Sequence, residues 1–156
     1  MELPYVDVMS MLRELSKPLW EIDFPSLPNV WGISAPWLLS HGYRLYPTWP
    51  EGRYESTICN SDHPAPRDLP HPYAYSAYFP GPCNDVSMSQ NVIGAQDEQW
   101  RDVVIKVVAK GSQELTIFKI LAETPELFDS RTFPCVIPVL EILDTPYDYK
   151  FVVLPR

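Results

Sequence analysis

The sequence has 156 residues, 46% of them hydrophobic and 13% aromatic, enough for one domain with a real core and too apolar for a chain disordered throughout. A net charge of −8 denies it the positive field that a sequence-independent grip on nucleic acid or on an anionic membrane requires. Eighteen prolines, more than twice the usual share, predict a fold heavy in loops and extended segments.

The first predicted element is a helix, because Tyr5, Val8, Met9, Leu12 and Leu15 recur at helical spacing and Lys17-Pro18 ends the pattern. Residues 18–32 hold three prolines around two tryptophans and read as an irregular arm held by side-chain packing. Ser34 can then cap a short helix, "APWLLSH", with Pro36 in its first turn and Gly42 ending it in the left-handed conformation. Tyr43 to Tyr46 alternate like a short strand. From 57 to 85 the prolines and the tyrosines Tyr73, Tyr75 and Tyr78 predict a long loop or an extended wrap.

From residue 90 the pattern changes. "QNVIGA" and "DVVIKVVAK" read as strands, "SQELTIFKILAE" as a helix capped by Ser112, and "VLEIL" and "YKFVVL" as strands flanking the turn at Asp144-Thr145-Pro146-Tyr147. In the helix, Leu115, Phe118 and Leu121 with Ile117 form the expected apolar face. Nearly all the excess negative charge lies before residue 101, which supports two regions: 1–89, an N-terminal helix and proline- and aromatic-rich arm, and 90–156, the sheet-forming part. The predicted class is α+β, an antiparallel sheet with one principal helix.

Three widely spaced cysteines fit reduced thiols better than a disulfide framework. The start, "MELPYVDVMS", has no basic-then-apolar pattern, and no apolar run reaches the ~18 residues of a membrane span, so a cytoplasmic protein is expected. Cys59, His63, His71 and Cys83 have the ligand types of a zinc site, but no C-x2-C pair, and loop positions are the favoured reading. Pro25-Ser26-Leu27-Pro28 is a P-x-x-P match without a basic flank and reads as a turn. The aromatic residues of the arm, among them Trp20, Trp31, Trp37 and Trp49, could stack on bases or sugars, but with this charge are expected to pack the arm onto the sheet.

Alternation in the lysine-bearing strand puts Val103, Ile105, Val107 and Ala109 on one face and Val104, Lys106 and Val108 on the other. A lysine between two valines either reaches solvent at the sheet rim or is held by a carboxylate or phosphate. The segment "VVIK" is one change from the protein-kinase "VAIK" strand, and it stands where that motif requires, on a strand followed by a helix. After it, "ELTIFKIL" resembles the kinase αC helix, with Glu114 followed by Ile117, Phe118 and Leu121, and "VIPVLEILDTPYDYKFVVLPR" resembles the hairpin that runs into the hinge. Together with "LLSHGYRLYPTW", these elements make roughly residues 31–156 resemble the kinase-like proteins of mushroom-forming fungi, with the kinase small lobe at 90–156.

The resemblance implies ATP with Mg as cofactor and Ser/Thr of protein as acceptor. It implies that Lys106 contacts the α- and β-phosphates and pairs with Glu114, and that Val104 lies over the adenine. Val153 would be the gatekeeper, with the Leu154 carbonyl and the Arg156 amide at the adenine edge. The segment matching the phosphate-covering loop, "NVIGAQDEQW", offers one glycine, Gly94, beside Asp97 and Glu98. The motifs H-R-D-x-x-x-x-N and D-F-G, which supply the base and the metal ligands, do not occur in these residues. Phosphoryl transfer is therefore expected only with a large lobe as partner, and the alternative is a non-catalytic, pseudokinase-type module that contacts a protein partner.

Overall fold

The structure is a computed structural model that describes residues 1–18, 21–23, 26–46, 91–99, 101–129 and 136–155. Its elements, in order, are helix α1 (Val8–Glu14), helix α2 (Val30–Ser40), strands β1 (Arg44–Leu45), β2 (Val92–Gln96) and β3 (Asp102–Ala109), helix α3 (Gln113–Ala122), a 3-10 turn (Pro125–Phe128), and strands β4 (Glu141–Asp144) and β5 (Tyr149–Pro155). The five strands form one antiparallel sheet in the order β1-β2-β3-β5-β4. The predicted α+β class, with an antiparallel sheet, is what the chain adopts. Among the described residues no helix is long and apolar enough to cross a membrane.

Both N-terminal helices begin elsewhere than expected: α1 later than its apolar pattern, and α2 earlier than a Ser34 cap would start it. In α1 the Asp7 carboxylate accepts the Ser10 N–H at 3.0 Å, so the helix starts at Val8, and Tyr5 stands outside it, exposed and edge-on to Tyr147. In α2 the cap is Asn29, whose side chain accepts the Gly32 N–H at 2.9 Å, and Ser34 is a buried residue within the helix. Pro36 consequently falls inside the helix rather than in its first turn, where it deprives the Gly32 carbonyl of a donor. Burial of Val30, Trp31, Trp37 and Leu38 offsets that loss. The C-terminus follows expectation: Gly42 has φ 87°, and the Gly42 and Tyr43 N–H groups return to the Leu39 and Leu38 carbonyls at 3.0 and 2.9 Å.

Strand alternation gives the sheet two unlike faces. On one, Ile93, Ala95, Val103, Ile105, Val107, Tyr149, Phe151 and Val153 form a single buried cluster with Leu3, Val8, Met11, Val30, Trp31, Trp37 and Leu38. Phe151 is its centre, with ring centroids 5.5 to 5.9 Å from those of Tyr149, Trp37 and Trp31. The arm and the sheet thus share one core across the expected boundary near residue 90. Tyrosine hydroxyls tie arm to sheet at its polar edges, among them Tyr43, which donates to Glu141, and Tyr147 of the β4–β5 turn, which donates to the Leu3 carbonyl. On the other face a smaller cluster of Val108, Leu115, Val139 and Val152 seats α3, with Phe118 and Leu121 at its margin. Ile117, expected on the buried side of α3, is 51% exposed, because Leu115, Phe118 and Leu121 already fill the contact.

Candidate functional site

Lys106 lies on the α3 side of β3, with Val92 opposite it on β2 and Val152 opposite it on β5. The sequence brings a carboxylate to it through a short, well-determined connection. After Ala109 the chain turns at Gly111, whose φ of 76° is one that side chains rarely permit. The Ser112 hydroxyl then accepts the Leu115 N–H at 3.1 Å and donates to the Ala109 carbonyl at 2.8 Å, which fixes the start of α3 against the end of β3. Leu115 points into the small cluster, so Glu114, one residue earlier in the first turn, swings toward the strand. Lys106 Nζ and Glu114 Oε1 meet at 2.5 Å.

The two side chains are 25% and 46% exposed, so the ammonium is held in place while still open to a further anion. Around it, Val92, Val104 and Leu154 are half-buried, with Val104 between Gly94 and Leu154 in the ladder. Lys106, Glu114, Val104, Gly94 and Leu154 are therefore gathered on one face. Val153 is not: it pairs with Ile105, is fully buried in the arm-side core, and lies across the sheet from Lys106. The β5 residue opposite Lys106 is Val152, which the period of two in "YKFVVL" places with Lys150 and Leu154. Arg156, like Cys59, His63, His71 and Cys83, lies outside the described residues.

Gly94 does not sit in a loop. It occupies the middle of β2, opposite Val104, and its carbonyl accepts the Tyr46 N–H at 2.9 Å. The role of covering phosphates with free backbone N–H groups does not fit a residue built into the sheet on both sides. Asp97, which sequence places near a bound phosphate, instead closes the β2–β3 turn: Oδ1 accepts the Gln99 and Arg101 N–H groups, each at 2.9 Å, and Oδ2 pairs with Arg101 Nε at 2.5 Å.

A buried polar group on the same face escapes sequence reasoning. Asp102, at the start of β3, is 3% exposed, and its Oδ1 accepts from the Tyr46 hydroxyl and, at 3.1 Å, from Gln96 Nε2. The only sequence signal is an acid opening a valine-rich strand; the partners are Tyr46, just after β1, and Gln96 of β2. Their effect is to fix the register of β1 on β2 at the end of the sheet away from α3.

Among the described residues no group of three or more His, Cys, Asp or Glu side chains is placed to hold a metal ion. The chain matches no family model, no curated protein and no solved structure.

Proposed function

We propose that this chain is the small-lobe part of a protein-kinase-like protein, in which Lys106, oriented by Glu114, presents a fixed positive charge to the phosphates of a nucleotide. The observation that carries this reading is the Lys106–Glu114 pair, a strand lysine and a first-turn helix carboxylate joined across β3 and α3. Phosphoryl transfer is mostly positioning and charge neutralisation, and an ammonium steered by a carboxylate supplies both toward an anion. Val104 and Leu154, half-buried beside the lysine, offer apolar surface to a base. Transfer of phosphate from ATP to protein Ser/Thr requires in addition a large lobe carrying the catalytic base and the Mg ligands, which these residues do not include.

A second reading, a non-catalytic module that keeps the sheet and helix as a scaffold for a protein partner, draws on Gly94. With that residue paired within the sheet, Gly94 does not form a phosphate-covering loop, and among the described residues the lysine would meet a phosphate without such a cradle. Calorimetric titration with Mg·ATP separates the two. The kinase-like reading expects weak binding, with Kd of about 1 mM, lost in Lys106→Ala and reduced in Glu114→Gln while both variants stay folded. An absence of heat with wild type, or an equal response from Lys106→Ala, would sink nucleotide binding and leave the scaffold reading.

A further inference from the structure

We draw no further inference here: the strongest candidate, the polar cleft of about 210 Å³ where the end of α2 meets the β2–β3 turn and β4, lined by His41, Tyr43, Glu98 and Glu141 among others, is an acidic cluster whose Asp97 and Glu141 are already engaged by Arg101 and Tyr43, and among the described residues nothing beside it points to a ligand.

Discussion

The two faces of the sheet are built on opposite principles. The arm side is closed: aromatic rings converge on Phe151, and the strand residues facing α1 and α2 are almost wholly removed from water. Among the described residues, the α3 side is sealed at one end by Leu115 against Val108 and Val152; beyond that it carries an open ion pair, half-buried valines and a buried carboxylate with polar partners. Burial stabilises at roughly 25 cal/mol per Å² of apolar surface, so the arm side holds the fold together. The α3 side contributes less and keeps its charged groups available. The N-terminal arm, expected to pack onto the sheet, supplies a large part of that core.

The sharpest way to break that contrast is to truncate one residue on each face. Phe151→Ala should cost about 3–5 kcal/mol in chemical denaturation, because a ring packed among three others leaves a cavity that they cannot all collapse into. Leu115→Ala should fall near the low end of its class, about 2 kcal/mol, since its half-buried neighbours can relax and water can reach the gap. Phe151→Leu keeps the comparison measurable if the alanine variant does not fold. A larger loss at Leu115 than at Phe151 would reverse the assignment of the two faces.

Alkaline titration probes the closed side next. Burial pushes the Tyr43 and Tyr149 hydroxyls above their ordinary value of 10.0, Tyr149 to about 12; the Glu141 carboxylate that accepts from Tyr43 adds to the rise there, and Tyr147 adds to it at Tyr149. A folded state that holds these protons more tightly than the unfolded chain keeps their full contribution below pH 10 and loses it as pH rises through the folded values. Stability should therefore fall above pH 10, and Tyr43→Phe or Tyr149→Phe should each flatten that fall. At neutral pH, Tyr149→Phe should be nearly silent, because among the described residues the buried hydroxyl it removes makes no hydrogen bond beyond a marginal approach to Ser34. An alkaline limb unchanged in both variants would mean that the rings are wet.

On the open side the informative change is Ser112→Ala. Loss of the cap should cost about 1 kcal/mol, measured by urea denaturation. Because Ser112 also sets where Glu114 begins its turn, the same variant should weaken any Lys106-dependent nucleotide response beyond what stability explains. A variant that loses stability but keeps the full response would show that the lysine works without its carboxylate.

What the sequence made legible follows the range of the forces involved. Alternation in "DVVIKVVA" and the serine cap of "SQELTIFKIL" are local and mark out β3 and α3, whereas the Lys106–Glu114 pair is implied by the likeness to a kinase strand and helix. The helix starts differ from expectation for two reasons: at α1 apolar periodicity marks the buried stripe rather than the Asp7 cap, and at α2 the competing caps Asn29 and Ser34 both precede an apolar run, and the structure uses Asn29. Likeness to the kinase hinge implies Val153 as the gatekeeper, and the count from Lys150 along β5 puts its side chain on the arm side of the sheet, away from Lys106. The Tyr46–Asp102–Gln96 group is marked in the sequence only by the acid opening β3, since its partners depend on Leu45 pairing with Ala95, a contact far apart in the chain.

The smallest expected effect tests the outer rim of the same face. Asp144 and Lys150 are opposite each other on β4 and β5, with Oδ2 and Nζ 2.9 Å apart, and the lysine's hydrogen bond holds the Asp144 carboxyl below its ordinary 3.8. A carboxyl depressed in the folded state contributes stability above its unfolded value and loses it as pH falls through the folded one, so the contribution is present at neutral pH and disappears below about pH 4. Asp144 is largely exposed, and water and salt screen the pair, so a double-mutant cycle of Asp144→Asn and Lys150→Met should return no more than about 0.5 kcal/mol at pH 7. The same cycle should return progressively less as the pH falls below about 4. A coupling above about 1 kcal/mol that survives acid would mean that the rim of the α3 side is more closed than its exposure implies, and that the contrast between the faces is one of degree.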